Sequence, residues 1–155
     1  MERTLVLLKP DAVQRNLIGE ILTRLERKGL KVVGLKFMRL TDELLNEHYS
    51  HLVGRSFFGE VKTFMQLTPV VAITLEGVDA VNTVRALVGI TKARDAAPGT
   101  IRGEFAMSTQ ANLIHCSDSL ETAKAEVPRF FKEEELFSYE VALGQYIYNS
   151  SEREA

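Results

Sequence analysis

Residues 112–119, with the sequence NLIHCSDS, connect the last predicted strand of the chain to a predicted helix. The mainly apolar run 112–116 is typical of a buried strand. The Ser-Asp-Ser triplet after it favours a helix start, because these are preferred N-cap residues and Glu121 lies three residues after Asp118. We therefore predict that His115 lies where a strand ends and a helix begins.

This position suggests a chemical role for His115. A helix N-terminus offers free N–H groups and partial positive charge, which favour an anion such as phosphate. A histidine beside a bound phosphate is a candidate nucleophile for phosphoryl transfer. The alternative is a hydrogen-bonded structural histidine, which is the commoner reason for a lone histidine at a strand end.

Length and composition indicate one packed domain. The chain has 155 residues, 45% of them hydrophobic, so we expect a single domain over 1–155 with a frayed end at 151–155. The net charge of −2 gives no basic field for nucleic acid or an anionic membrane, so neither is expected as a partner. No apolar run approaches the ~20 residues of a membrane span. The single cysteine excludes an internal disulfide, and a start without a signal peptide predicts a cytoplasmic protein.

Hydrophobic periodicity predicts four strands and five helices. The strands are predicted at 4–8, 31–40, 70–75 and 112–116, and the helices at 18–25, 41–52, 57–67, 80–88 and from 117 to about 127. In the second strand the alternation of Val33, Leu35 and Phe37 predicts one face in the core. Residues 89–103 have no apolar periodicity and are predicted as a long functional loop.

This order of elements predicts an α+β fold. We expect a ferredoxin-like split βαβ sandwich, in which a four-stranded, mainly antiparallel sheet has helices packed on one face. A C-terminal tail rich in aromatic residues follows from residue 128 and should pack on the domain or on a neighbouring subunit.

Several cationic residues lie at the ends of predicted elements. Lys9 closes the first strand, and Arg55, Arg85 and Arg102 lie in or beside turns and loops. Each one alone is more commonly a solvated surface charge. Their shared placement favours a common anion site, to which arginine brings a planar fork and lysine a point charge. The sequence contains neither a P-loop motif nor a kinase-type glycine-rich loop.

Four other residues have two interpretations each. Phe57 either packs in the core or provides a platform on which a base stacks. His48 and His51, at i and i+3 on a helix, could pair on a metal, although no third ligand is spaced nearby. Glu126 is either exposed or reaches back to orient the imidazole of His115.

An ordered set of segments carries a resemblance to a known family. They are TLVLLKPDAVQR at 4–15, GLK at 34–36, EHY at 47–49, RSFF at 55–58, Gly77, PGTIRG at 98–103 and NLIHCSDS at 112–119. Over almost its whole length the chain resembles the nucleoside diphosphate kinases. The PGTIRG segment and the His-x-Ser-Asp-Ser segment are close to diagnostic.

The resemblance implies a ping-pong kinase with broad base tolerance. His115 would take the γ-phosphate of a nucleoside triphosphate and give it to a nucleoside diphosphate, with Mg²⁺ bridging phosphate oxygens and no direct protein ligand for the metal. The implied nucleotide-binding residues are Lys9, Arg85, Thr91 and Arg102 for the phosphates, Lys9 and Asn112 for the ribose, and Phe57 for the base, opposite Thr109. The resemblance also implies that Glu126 and Ser117 position the histidine, with Tyr49 close to it, and that Lys9 belongs to the catalytic set. A homo-oligomer is implied, with a hexamer favoured over a tetramer because the chain end resembles the longer tails of hexameric members.

The sequence departs from the family pattern near the nucleophile. Cys116 replaces the usual glycine, and Lys92-Ala93 replaces an Asn-Pro pair. At a helix N-terminus the Cys116 thiol could have a lowered pKa and be reactive, or it could be an inert small residue. The alternative function is a catalytically weak nucleotide-binding or regulatory module on the same fold.

Overall fold

In a computed structural model of the protein, which describes residues 1–153, four strands form one antiparallel sheet. The strands are β1 (Glu2–Leu8), β2 (Lys31–Met38), β3 (Val70–Gly77) and β4 (Ile114–Cys116). Their spatial order is β2-β3-β1-β4, and every neighbouring pair is antiparallel. The ferredoxin-like α+β prediction is confirmed.

Eight helices accompany the sheet in the described residues. They are α1 (Pro10–Gln14), α2 (Ile18–Arg27), α3 (Asp42–His48), α4 (Phe58–Met65), α5 (Ala80–Val88), α6 (Ile101–Phe105), α7 (Leu120–Phe130) and α8 (Ser150–Arg153). None of the helices within 1–153 is long and apolar enough to cross a membrane.

Besides the C-terminal helix α8, two of these helices, α1 and α6, were not predicted. Each has five residues, too few to show a helical period. Pro10 occupies the first position of α1, where a missing N–H costs nothing. Thr100 caps α6 by accepting a hydrogen bond from the Gly103 N–H at 3.0 Å. The predicted loop over 89–103 is therefore wrong in its last residues, which begin a helix.

Helices pack on both faces of the sheet, so the expectation of helices on one face is wrong. On one face Val6 and Leu8 of β1 join α2 and α5 in a buried cluster. On the other face Leu5 and Leu7 join α3, α4 and α7. The sequence of β1 contains the reason, because a continuous apolar run, unlike an alternating one, needs cover on both sides.

The outer strand β2 differs from its predicted orientation. Val33 is buried, but Leu35 and Phe37 are 52% and 59% exposed. A bulge just before Gly34 shifts the register against β3 and turns the later side chains to the opposite face. Gly34 then faces the core, where a β-carbon would lie only 2.9 Å from Leu136 Cδ2.

The C-terminal tail packs on its own domain. The Phe137 N–H donates to the Val33 carbonyl at 2.8 Å, and the Tyr139 hydroxyl donates to the Val32 carbonyl at 2.7 Å. Where we expected fraying from residue 151, Ser150–Arg153 form the short helix α8. Residues 154 and 155, the rest of that predicted frayed end, lie outside the described residues.

Candidate functional site

A cleft of about 960 Å³ opens where β4 meets α3, α5 and α7. It brings together nearly all the residues that the sequence indicated, although they are up to 117 positions apart in the chain, from Lys9 to Glu126. These lining residues are Lys9, Tyr49, Phe57, Arg85, Thr91, Arg102, Thr109, Asn112, His115 and Glu126. Ser117 lies behind Glu126, and Arg55 is exposed and not among the described residues that line the cleft.

His115 is held by a carboxylate on its inner side. Its Nε2 lies 3.2 Å from Glu126 Oε2, the same oxygen to which the Ser117 hydroxyl donates at 2.7 Å. Ser117 is itself fixed by the Leu5 N–H, which donates to its hydroxyl oxygen at 3.2 Å. Glu126 therefore reaches back to the imidazole, and its interpretation as an exposed residue is wrong.

The electrostatics of Glu126 favour an ionised carboxylate. Burial alone would raise its pKa, but the hydrogen bond and charge of His115 and the Ser117 hydroxyl outweigh burial and hold the pKa below its usual value. A neutral imidazole whose Nε2 faces this carboxylate carries its proton on Nε2. Its lone pair is then on Nδ1, at the other side of the ring.

A strained turn sets the position of β4. Leu113 is fully buried with a φ of +73°, and the Ile114 N–H donates to the Asn112 carbonyl two residues back at 2.9 Å. This is a γ-turn, a conformation that costs a non-glycine residue about 1–3 kcal/mol. Asp11 supports it, because its Oδ2 accepts the Leu113 N–H at 2.9 Å. The strand thus begins at Ile114, two residues later than predicted.

The N-cap of the helix after His115 lies one residue later than predicted. Ser119, and not Asp118, is the N-cap of α7, because its hydroxyl oxygen accepts the Thr122 N–H at 3.1 Å. The Asp118 carboxylate does not cap the helix, and it accepts a hydrogen bond from Arg85 at 2.7 Å instead.

Lys9 and Asn112 are fixed to each other. The Lys9 ammonium donates to Asn112 Oδ1 at 2.7 Å and to the Gln110 carbonyl at 2.8 Å. The Asn112 amide donates in turn to the carbonyls of Thr91 and Thr109 at 3.0 and 2.8 Å. Burial lowers the pKa of Lys9 to about 8, partly countered by the charge of Asp11.

Arg102 is built into the backbone of the site. Only 7% of it is exposed, and its guanidinium donates to the carbonyls of Gly89, Asn112 and Ile114 at 3.0, 3.3 and 2.5 Å. Burial lowers its pKa, although an arginine in a protein stays charged. Arg102 therefore ties the segment after α5 to β4 and brings a positive charge close to His115.

Arg85 has a much looser setting. Its side chain is 45% exposed and its one side-chain partner in the described structure is Asp118, itself 79% exposed. Ion pairs of this kind contribute about 0–1 kcal/mol. Arg85 is thus free to leave Asp118 for another anion in the cleft.

Phe57 and Thr109 line the cleft and are both exposed. Phe57 is 45% exposed, so its ring has a face available for stacking and is not a core residue. Tyr49 is half-buried, and burial raises the pKa of its hydroxyl to about 12. It contacts the ring of His48 at a centroid distance of 4.7 Å.

His48 is a site residue that the sequence did not identify as one. Its ring packs edge-on against His115, with centroids 4.6 Å apart, and its Nδ1 lies 3.7 Å from Glu126 Oε1. Burial, with the neighbouring charge of His115, lowers its pKa to about 3, which keeps the ring neutral. The neighbouring His51 is exposed and is not part of the described group with metal-ligand geometry, so the less favoured alternative of a His48–His51 metal pair has no support.

Cys116 faces the cleft but is only 7% exposed. Burial raises the pKa of its thiol, and the nearby Arg102 and Arg85 offset this only in part. The expected lowering of the thiol pKa is therefore wrong, and the alternative of a small inert residue agrees with the structure.

Two kinds of ion could be held here. Lys9, Arg85 and Arg102 bring positive charge to one cleft and suit a polyphosphate. Within residues 1–153, one group of three side chains has metal-ligand geometry, namely His48, His115 and Glu126, with one ligand atom from each lying within 4.8 Å of the others.

Comparison with known proteins identifies this arrangement. A family model described as nucleoside diphosphate kinase matches residues 2–136. The chain belongs to the nucleoside diphosphate kinase family. It therefore has the activity of this family, binding nucleotides and transferring a phosphoryl group, and kinases generally use a divalent metal ion.

Individual relatives agree along almost the full chain. A nucleoside diphosphate kinase of Parabacteroides distasonis is 56% identical over 141 residues, covering 91% of this kinase and 92% of the relative. The human nucleoside diphosphate kinase 3 is 48% identical over 147 residues, covering 95% and 87%. The nucleoside diphosphate kinase of Halobacterium salinarum, solved in complex with CDP, superposes with a TM-score of 0.93 at 47% identity, covering 96% and 99%.

Proposed function

We propose that this kinase transfers the γ-phosphate of a nucleoside triphosphate to a nucleoside diphosphate through a phosphohistidine on Nδ1 of His115. The observation that carries this proposal is the 3.2 Å contact between His115 Nε2 and Glu126 Oε2. It assigns the ring proton to Nε2 and leaves the Nδ1 lone pair to attack phosphorus. The P–O bond to the leaving diphosphate breaks as the N–P bond forms, and Glu126 stabilises the positive charge that develops on the ring.

The surrounding cations support the same reaction. Phosphoryl transfer depends mainly on placement and charge stabilisation, because there is little other chemistry for a protein to perform. We assign Arg102, Arg85, Thr91 and Lys9 to the phosphates of the nucleotide. Lys9 and Asn112, which are hydrogen-bonded to each other at 2.7 Å, would also contact the ribose.

The proposed divalent ion is Mg²⁺, carried by the nucleotide phosphates. The residues present fit this arrangement, since Glu126 is engaged by His115 and Ser117 while Asp118 is paired with Arg85. Mg²⁺ commonly keeps several waters and binds through substrate phosphates, where it neutralises charge. The protein side chains would then act on the phosphates and not on the metal.

Broad base tolerance follows from the assignment of Phe57 and Thr109 to the base. Stacking on an exposed ring uses the π-face that every base has. We therefore expect GDP, CDP and UDP to be accepted with similar efficiency.

We propose that the chain forms a homo-oligomer, with a hexamer favoured over a tetramer. We also propose that residues 1–155 form a single domain and that the protein is cytoplasmic. The exposed Leu35 and Phe37 on the edge strand β2 support an apolar contact between subunits. The single cysteine supports a reducing compartment.

The proposal is tested with γ-labelled ATP and Mg²⁺ in the absence of an acceptor. We expect an acid-labile, alkali-stable label that a nucleoside diphosphate removes, and parallel double-reciprocal lines when both substrates are varied. Absence of the label, or intersecting lines, would contradict a phosphoenzyme and favour the alternative of a catalytically weak nucleotide-binding module.

A further inference from the structure

His48 is the part of the site that phosphoryl transfer leaves unexplained. His48 is only 6% exposed, and its ring lies between His115 and Phe130 with centroid distances of 4.6 and 5.0 Å. With Glu126 and His115 it completes a set of two imidazoles and one carboxylate. This is a ligand set that zinc takes in enzymes, with a fourth position left for water.

The separations of these three side chains suit a single ion. His115 Nε2 is 3.2 Å from Glu126 Oε2, and His48 Nδ1 is 3.7 Å from Glu126 Oε1. Ligand atoms about 2.0–2.2 Å from a tetrahedral ion lie roughly 3.3 Å apart. One ligand atom from each of the three residues lies within 4.8 Å of the others, so side-chain rotations would bring the three onto one ion.

The contacts of His48 indicate which of its nitrogens is available. Arg129 NH1 lies 3.4 Å from His48 Nδ1, and a guanidinium can only donate, so Nδ1 holds the lone pair. The ring proton is then on Nε2, which is buried with no hydrogen-bond partner in the described part of the chain. An ion at Nδ1 would replace the long 3.4 Å contact from Arg129, and it would then lie between two acceptors, the Nδ1 lone pair and Glu126 Oε1.

Arg102 lies close to His115, and Arg129 is the positive group in contact with His48. The Arg129 guanidinium donates to Glu47 Oε1 at 2.9 Å, so an acidic partner offsets part of its charge. The carboxylate of Glu126 supplies the negative charge inside the set. The electrostatic environment thus accepts a divalent ion with mixed nitrogen and oxygen ligands.

We propose that His48, His115 and Glu126 form an inhibitory site for a borderline-soft divalent cation of the Zn²⁺ type. This inference rests on the proposed role of His115. A neutral imidazole has one proton and one free lone pair, so an ion that takes the Nε2 lone pair moves the proton to Nδ1. Nδ1 then has no lone pair with which to attack phosphorus, and the proton count of the ring is unchanged. Inhibition follows from the tautomer, without obstruction of the nucleotide.

The ligand types separate this ion from the catalytic one. Imidazole nitrogens suit zinc, cobalt and nickel, whereas Mg²⁺ requires oxygen ligands in octahedral geometry. Excess Mg²⁺ should therefore leave the site empty and the enzyme active.

The test uses the nucleotide-free wild-type enzyme with Zn²⁺ held at micromolar free concentration by a metal buffer. We expect one Zn²⁺ per chain and, with Co²⁺ instead, the intense visible absorption of a four-coordinate ion. Labelling by γ-labelled ATP should slow by at least about tenfold, since a bound metal stabilises the wrong tautomer. Enzyme labelled beforehand should bind Zn²⁺ more weakly, because its Nε2 proton stays with Glu126.

Variants identify the ligands. His48→Asn should weaken Zn²⁺ binding by at least about 10–100-fold, the cost of disturbing a metal ligand, and Glu126→Gln should act in the same direction if His48→Asn does not fold. His51→Asn and Cys116→Ser are the matched controls, since they remove a nearby exposed imidazole and the thiol; both should bind as wild type.

Each contrary result has one meaning. Wild-type enzyme that takes up no Zn²⁺ below millimolar concentration, or loses uptake only in Cys116→Ser, overturns the site. Labelling in chelated buffer tests the proposed function separately. Enzyme that binds Zn²⁺ but never accepts label contradicts that function, whereas labelled enzyme insensitive to Zn²⁺ contradicts only the inhibitory site.

Discussion

The cleft has two regions that hold their side chains in different ways. The buried wall consists of His115, Ser117, Glu126 and Arg102, each fixed by hydrogen bonds to the protein itself. The open rim consists of Phe57, Arg85 and Asp118. Phe57 is 45% exposed, and the side chains of Arg85 and Asp118 are 45% and 79% exposed. The difference indicates that the reacting groups are in place before a nucleotide arrives, while the rim adapts to what binds.

The two arginines show this contrast within one residue type. Arg102 gives its donors to three backbone carbonyls, so its position is part of the fold. Arg85 has a single exposed partner, Asp118, which a phosphate can replace. Changes in the wall should therefore affect both rate and stability, and changes in the rim should affect binding alone.

Removal of the wall's nucleophile should have the largest effect. His115→Ala should reduce labelling and nucleotide exchange by at least about 10⁴-fold, because no other group supplies the covalent step. The free energy of unfolding in urea should also fall, because the buried carboxylate of Glu126 loses its contact with His115. A His115→Ala enzyme that is labelled at the wild-type rate would show that another residue is the nucleophile.

Arg102→Ala should have the second-largest effect, and its comparison with Arg85→Ala tests the difference between the wall and the rim. We expect a loss of about 10²–10³-fold in kcat/KM from the missing charge. The three carbonyls left without a donor should also lower the free energy of unfolding by about 2–4 kcal/mol. Arg85→Ala is the matched control and should weaken nucleotide binding without loss of stability. Equal destabilisation of the two variants in urea would remove the distinction between the regions.

Lys9 lies between the two regions and should give the rate profile a basic limb. Its pKa of about 8 means that the free enzyme loses this charge as pH rises above 8. The logarithm of kcat/KM, which reports the free enzyme, should then fall by up to about one unit per pH unit. Lys9→Arg stays charged and should not show this limb, even if its activity at pH 7 is lower. A wild-type profile that stays flat to pH 10 would mean that Lys9 remains protonated.

Asp118→Asn should have the smallest effect, because it touches only the rim. The change frees Arg85 from an exposed ion pair, so nucleotide affinity should rise by less than about threefold, and salt should diminish the difference. Isothermal titration at two ionic strengths measures this. A tenfold change in affinity, or a change in stability, would place Asp118 in the wall.

Much of the wall could be predicted from local sequence. His115 and Glu126 are separated by a short helix segment, so one residue pattern contains both the strand end and the carboxylate that returns to it. The strands β1 and β3 are apolar runs bounded by turn residues, which the sequence pattern detects. The orientation of β2 could not be predicted in this way, because the bulge before Gly34 depends on its pairing with β3.

Other features arise only from distant contacts. The γ-turn at Leu113 depends on Asp11, and the three carbonyls that hold Arg102 come from segments on either side of it. His48 was missed as a site residue because its spacing to His51 suggested a pair on one helix face. Packing turns His48 inward against Phe130 and leaves His51 exposed.

The central claim is that Glu126 holds Nε2 of His115, so that Nδ1 takes the phosphoryl group. It is tested most directly by NMR of the phosphoenzyme prepared with ¹⁵N-labelled imidazole rings. We predict phosphorus coupling to Nδ1 and a proton on Nε2. Phosphorus on Nε2, with the proton on Nδ1, would contradict the account.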